Sequence, residues 1–175
     1  LYEWLLIYQL DAFIFENRIH YFCNLDYDYY GAPWKNGISQ YHFLFNRYRI
    51  KLGNKKFYVG NGGFSLRKLK TTIDLLERKR NDITKKYFME DVFFGYWGSK
   101  DLNYQSCSPE IAAEFSVETH PDYWVNHTGK FPMGTHNFHR TGPEWGNKFY
   151  NPILKKCYER LLRDYPILNQ LQEKT

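Results

Sequence analysis

Cysteine is scarce in the 175-residue chain: Cys23, Cys107 and Cys157 stand far apart, and none belongs to a C-x-x-C pair. A disulfide scaffold or a cysteine-rich zinc site finds no support, and free thiols in a reducing compartment are expected. Long apolar runs are lacking as well. No uncharged stretch approaches the ~20 residues that span a bilayer, and no basic-then-apolar leader opens the chain, so no integral membrane segment is expected. Repeats, linkers and low-complexity tracts are absent, which points to a single domain over residues 1–175. Charge of one sign is not concentrated anywhere: 24 Lys and Arg stand against 19 Asp and Glu, a net +5. A nucleic-acid partner would call for a denser basic patch, and none is expected.

What the chain does have is aromatic side chains, with 16 Tyr, 14 Phe and 5 Trp making 20% of its residues. Such rings fill a core, and they also stack on sugar rings or bases. The apolar fraction of 43% is ordinary for a globular domain and too high for a disordered chain.

Strand and helix signals alternate, so the class is α/β. Leu5 to Leu10 form a nearly continuous apolar run, expected as a central strand covered on both faces, with Asp11 near its carboxyl end. Tyr27 to Tyr30 read as a second strand ending at Gly31-Ala32-Pro33, and Phe57-Tyr58-Val59 as a third. Residues 34–54 mix glycine, asparagine and basic residues with aromatics, as in a long loop holding a short element. After Gly60-Asn61-Gly62-Gly63, the helical spacing of Leu66, Leu69, Ile73 and Leu76 predicts a surface helix with Ser65 as its N-cap. Glu90-Asp91 open a short helix, Ser108-Pro109 open another through about Phe115, and Asn151-Pro152 open a last one that Pro166 ends.

Four segments carry residue types suited to chemistry. In a strand Gln9 and Asp11 would share a face and offer two oxygens, the donors that Mg²⁺ or Mn²⁺ prefers, although a carboxylate here also suits a turn. Gly60 to Gly63 around Asn61 permit positive φ and a close approach of ligand to backbone, ahead of helix N–H groups; a tight turn is the plainer alternative. The spacing is neither a P-loop nor a dinucleotide fingerprint. Glu90 and Asp91, among Met89 and Val92-Phe93-Phe94, suit general-base work if buried, or a helix N-terminus decorated with acids. His136 and His139 lie in a segment shaped by Pro132 and Gly134, and imidazole suits ions such as Mn²⁺; the H-E-x-x-H pattern of zinc proteases is absent.

Taken in order, Gln9-Leu10-Asp11-Ala12-Phe13, the segment Tyr27 to Trp34, Gly60 to Lys68, Glu90 to Phe94 and Pro132 to His136 resemble a glycosyltransferase-like domain family of unknown function. More distantly they are similar to the β-1,3-galactosyltransferase type of GT-A enzyme, which carries a D-x-D strand, a glycine-rich segment ending in serine, and an E-D-V motif. The resemblance covers about residues 5–139 and is most specific at Gly60 to Arg67 with the downstream Glu90-Asp91-Val92.

That resemblance implies a GT-A mixed sheet flanked by helices, with the nucleotide-binding half that precedes the D-x-D strand missing or truncated. It implies Mn²⁺ or Mg²⁺, a UDP-sugar donor and an inverting transfer to a glycan hydroxyl; the free thiols, for their part, lead us to expect a cytoplasmic site of action (or a Golgi-type lumen were an anchor to precede the chain). Asp11 matches the metal-binding acid, Gln9 stands where a first acid would be, and His136 matches a late metal-binding histidine. Gly62 and Gly63, with Asn61 and Arg67 beside them, match the donor loop, and Asp91 with Glu90 the base. Arg67, Lys68 or Arg140 would add positive charge for the diphosphate, and Tyr30, Trp34 and Trp145 would wall the sugars. Two other readings stand beside it: a non-catalytic carbohydrate-binding relative in which Gln9 marks a lost metal site, and an RNA-binding module built on aromatic stacking.

Overall fold

An apolar extended segment, β1 (Trp4–Tyr8), begins the fold; the computed structural model describes residues 2–39, 56–83 and 89–137. β2 (Ala12–Ile14), the short helix α1 (Ile19–Cys23), β3 (Tyr29–Tyr30) and β4 (Pro33–Ser39) follow. Then come β5 (Lys56–Val59), β6 (Phe64–Lys68), and the helices α2 (Leu69–Arg78), α3 (Arg80–Ile83), α4 (Glu90–Gly98) and α5 (Pro109–Phe115). β7 (Ser116–Val117), α6 (Pro121–Thr128) and β8 (Gly134–His136) complete the described order. The strands form three small sheets, β1-β6-β3, β2-β8-β7 and β4-β5, flanked by helices, so the class is mixed α/β. Among the described strands, all pairings are antiparallel except β7 with β8. Among the described residues no helix is long and apolar enough to cross a membrane. The expected helix after Asn151, together with His139, Arg140, Trp145 and Cys157, lies outside the described residues, as do residues 40–54 of the expected loop, whose first part is instead strand β4.

Local sequence rules explain several boundaries. Ser108 caps α5, its Oγ accepting from the Ile111 N–H at 3.3 Å, and Pro109 takes the first turn, where a missing N–H costs nothing. β5 alternates exposed and buried residues, Phe57 and Val59 turning inward. Gly129 ends α6 in the left-handed conformation that glycine adopts freely.

Three expectations are overturned. The segment after the glycines is not helical: Phe64–Lys68 is the central strand of its sheet, paired with β1 on one side and β3 on the other. Its alternating Phe64, Leu66 and Ser65, Arg67 bury both faces, and two neighbours supply its ladder bonds, which outweighs a helical spacing. The helix starts only at Leu69; Ser65 caps nothing and instead donates from Oγ to the Gly62 carbonyl at 3.0 Å, and the buried residues of α2 are Thr72 and Leu75, with Ile73 exposed. β1 is not a central strand, because among the described strands it lies at the sheet edge with Leu5 and Tyr8 exposed. Tyr30 is no sugar wall: it is fully buried, and its hydroxyl donates to the Phe22 carbonyl at 2.7 Å.

Among the described residues, eleven aromatic side chains are buried in the core. Phe64 and Phe115 stack with centroids 5.0 Å apart and planes 9° from parallel, while Phe22 meets Phe115 edge-on at 5.1 Å. These rings tie the central strand to α5 and α1, and so hold rigid the elements that carry the residues described next.

Candidate functional site

Two strand ladders converge on one point. The β1–β6 ladder pairs Tyr8 with Phe64 and runs one bond further, the Gln9 N–H donating to the Gly63 carbonyl at 2.9 Å. The β2–β8 ladder pairs Ala12 with His136, and beyond it the Asn137 N–H donates to the Asp11 carbonyl at 3.0 Å. Between the ladders the chain makes a tight turn, closed by the Ala12 N–H bonding to the Gln9 carbonyl at 2.9 Å. The shared strand face expected of Gln9 and Asp11 is not formed, because β1 ends at Tyr8; a turn brings the two residues to the same place instead.

That place is the Nε2 edge of His136. Gln9 Oε1 lies 2.9 Å from it and Asp11 Oδ1 3.2 Å from it, across 127 residues of sequence in the case of Gln9. On the ring's other side Glu118 Oε2 lies 3.2 Å from Nδ1, while Glu118 Oε1 accepts from Asn137 Nδ2 at 3.1 Å. Facing acceptors on both edges, the ring favours its doubly protonated form. The Glu118 hydrogen bond pushes its pKa above the ordinary 6.5, the Glu118 and Asp11 charges add to this, and burial opposes it. Among the described residues no three His, Cys, Asp or Glu side chains form a metal-binding group; the corner at Nε2 joins one carboxylate and one imidazole with one amide oxygen.

The glycine loop links this corner to the carboxylate pair. Its left-handed residue is Asn61, at φ 56°, rather than a glycine. The glycines serve close approach: a Cβ on Gly63 would sit 2.2 Å from His136 Nε2, one on Gly62 2.1 Å from the Glu90 carboxylate, and one on Gly60 1.8 Å from the Trp34 ring. Backbone at Gly62-Gly63 thus runs between His136 and Glu90. Gly63→Ala is expected to displace the imidazole, because the new methyl would overlap Nε2, and to break its contacts with Gln9 and Asp11. Imidazole resonances of His136, recorded beside a thermal melt, check this, and resonances unchanged in the variant would refute the packing argument.

Arg67 is engaged elsewhere than at a free anion site. Its guanidinium is buried, pairs with Glu90, donates from Nη2 to Ser65 Oγ at 3.0 Å, and lies 4.4 Å above the Phe94 ring. One Glu90 oxygen is consequently occupied. Asp91 is half-buried at the start of α4, where its Oδ1 accepts from the Val92 N–H at 2.7 Å. Burial pushes its carboxyl above the ordinary carboxylate value; the neighbouring Glu118 charge adds to this, while the Val92 N–H and Arg67 pull the other way. Trp34 is half-buried against Gly60 and Phe57.

Glu118 went unrecognised in the sequence. It stands alone between Val117 and Thr119, with no motif to mark it, and only the parallel β7–β8 register sets it beside His136.

A family described as a protein of unknown function (DUF5672) matches residues 1–136, a span that takes in every residue of the corner from Gln9 to His136. No curated protein and no solved structure matches the chain.

Proposed function

We propose that this chain, which belongs to the DUF5672 family, is a GT-A type glycosyltransferase that moves a sugar from a UDP-sugar to a glycan hydroxyl with Mn²⁺ or Mg²⁺ as cofactor. One observation carries the reading: Asp11 Oδ1 and His136 Nε2 meet at 3.2 Å over the Gly63 backbone. Neighbouring donors around a six-coordinate divalent ion with bonds of about 2.1 Å lie about 3.0 Å apart. The 2.9 Å and 3.2 Å separations at Nε2 suit that arrangement, and a mixed nitrogen and oxygen set favours Mn²⁺ over Mg²⁺. Asp11, His136 and Gln9 would hold the ion. Once bound, it would stabilise negative charge on the departing diphosphate.

The remaining work falls to the chain. The loop of Asn61, Gly62 and Gly63 would line the donor, while its two glycines let Glu90 and His136 pack directly on the backbone and so fix the spacing between the cation corner and the base. Asp91 takes the proton of the acceptor hydroxyl as its oxygen bonds to the anomeric carbon and the sugar–diphosphate bond breaks. Its raised pKa makes it a stronger base than an ordinary aspartate. Glu90, tied to Arg67, holds that end of α4 against Gly62.

Calorimetric titration with UDP tests the reading: binding should require Mn²⁺. Sugar binding that needs no metal, with no metal-dependent UDP binding, would instead favour a non-catalytic carbohydrate-binding protein.

A pH dependence follows from His136. A group with a raised folded-state pKa stabilises the metal-free fold below its unfolded value and loses that contribution as pH rises through the folded one. The same proton occupies Nε2, where the ion must bind. Mn²⁺ affinity is therefore expected to fall about tenfold per pH unit below the raised His136 pKa, with the decline already under way above pH 6.5. Affinity flat from pH 8 to 5 would exclude His136 as a ligand.

A further inference from the structure

We infer that Glu118 is the positioning residue that keeps the proton of the His136 ring on Nδ1 and turns the Nε2 lone pair toward Asp11 and Gln9, a role that rests on reading this corner as a cation site. The register supplies the placement: Ser116 pairs with Gly134 and Val117 with Thr135, so the next step of the parallel ladder sets Glu118 beside His136. The Thr135 hydroxyl, donating to the Val117 carbonyl at 2.7 Å, pins the two strands together at that step.

Both Glu118 oxygens are engaged, Oε2 with His136 Nδ1 and Oε1 with the Asn137 amide, so the carboxylate cannot swing away. Asn137 reaches it from a left-handed backbone, φ 56°, and the same residue holds the Asp11 carbonyl through its N–H. One residue thereby sets the distance between the orienting acid and the Asp11 turn.

Gln9 Oε1 is nearest to Nε2, at 2.9 Å, but an exposed amide can turn its NH₂ to the ring instead, so the contest for the single N–H of a neutral imidazole lies between the two carboxylates. Exposure decides the contest. The Glu118 side chain is 15% exposed and Asp11 38%, so water screens Asp11 more, and the hydrogen bond to Glu118 is the stronger. Nε2 is then left with its lone pair free, and a carboxylate on the opposite nitrogen makes it a better donor to a metal ion.

The test uses Glu118→Leu, and Glu118→Gln, which retains an acceptor for Nδ1 and serves if the leucine variant does not fold. Imidazole ¹⁵N spectra of the metal-free protein, at a pH where the ring is neutral, report which nitrogen carries the proton; Mn²⁺ titration followed by electron paramagnetic resonance reports affinity. The wild type should carry the proton on Nδ1. Glu118→Leu should lose that preference and bind Mn²⁺ about 10- to 100-fold more weakly, and Glu118→Gln should keep the preference with a smaller loss. A proton on Nε2 in the wild type overturns the inference, as does an unchanged tautomer in Glu118→Leu or unchanged Mn²⁺ affinity in a wild type that binds it. A tautomer switch in a protein that binds no Mn²⁺ upholds the orienting role and defeats the metal reading instead.

Discussion

Asp11→Ala is expected to abolish metal-dependent UDP binding and to reduce sugar transfer by at least about 10²-fold. The size follows from the make-up of the corner, where Asp11 is, among the described residues, the single carboxylate facing His136 Nε2. Gln9 offers only a neutral amide oxygen, and its side chain is exposed. Without Asp11, a divalent ion would rest on one imidazole and one amide, a set with no negative charge to offset its own. Loss of a ligand should exceed the 10- to 100-fold cost typical of removing a residue that merely supports one. The fold should tolerate the change, since the Asp11 main-chain bonds to Asn137 and the turn closed by Ala12 survive in alanine. Titration of UDP in the presence of Mn²⁺ reads the first effect directly. Wild-type binding by the variant would remove Asp11 from the site.

Asp91→Asn should separate binding from chemistry. Asparagine has nearly the same shape and can still accept from the Val92 N–H, so α4 keeps its first turn. It cannot take up a proton. Turnover is expected to fall about 10²- to 10⁴-fold, the usual worth of a positioned general base, while UDP and Mn²⁺ bind as before. Glu90 cannot readily substitute, because one of its oxygens is held by the buried Arg67 guanidinium. A variant that retains full turnover would exclude Asp91 as the base. One that loses donor binding as well would place it in the donor site instead.

How much of this was legible in the sequence depends on the distance over which each residue acts. The start of α5 could be read at once, because the Ser108 cap and Pro109 act within one turn. The acids opening α4 are local in the same sense. The segment Phe64–Lys68 could not, because Leu66, Leu69, Ile73 and Leu76 suit helical spacing while the choice of strand depends on β1 and β3, distant in sequence. Gln9, Asp11 and His136 were recognisable as residue types in order, and the structure does bring them together. The means differ from a shared strand face: a turn joins two ladders. The glycine-rich loop was visible, yet its left-handed position falls at Asn61, and the glycines answer to Trp34, Glu90 and His136, contacts no local pattern encodes. Arg67 looked like a cation for phosphate; burial beside Glu90 and Phe94 is a tertiary outcome. Glu118 acts through strand register alone, and so left no trace in the spacing of motifs.

The most direct test is a crystal of the protein grown with Mn²⁺ and UDP, with the ion located by its anomalous scattering. The account requires a single manganese bonded to the Asp11 carboxylate and His136 Nε2, touching the diphosphate beside Gly63. Manganese bound elsewhere, or UDP seated away from these residues, would contradict it.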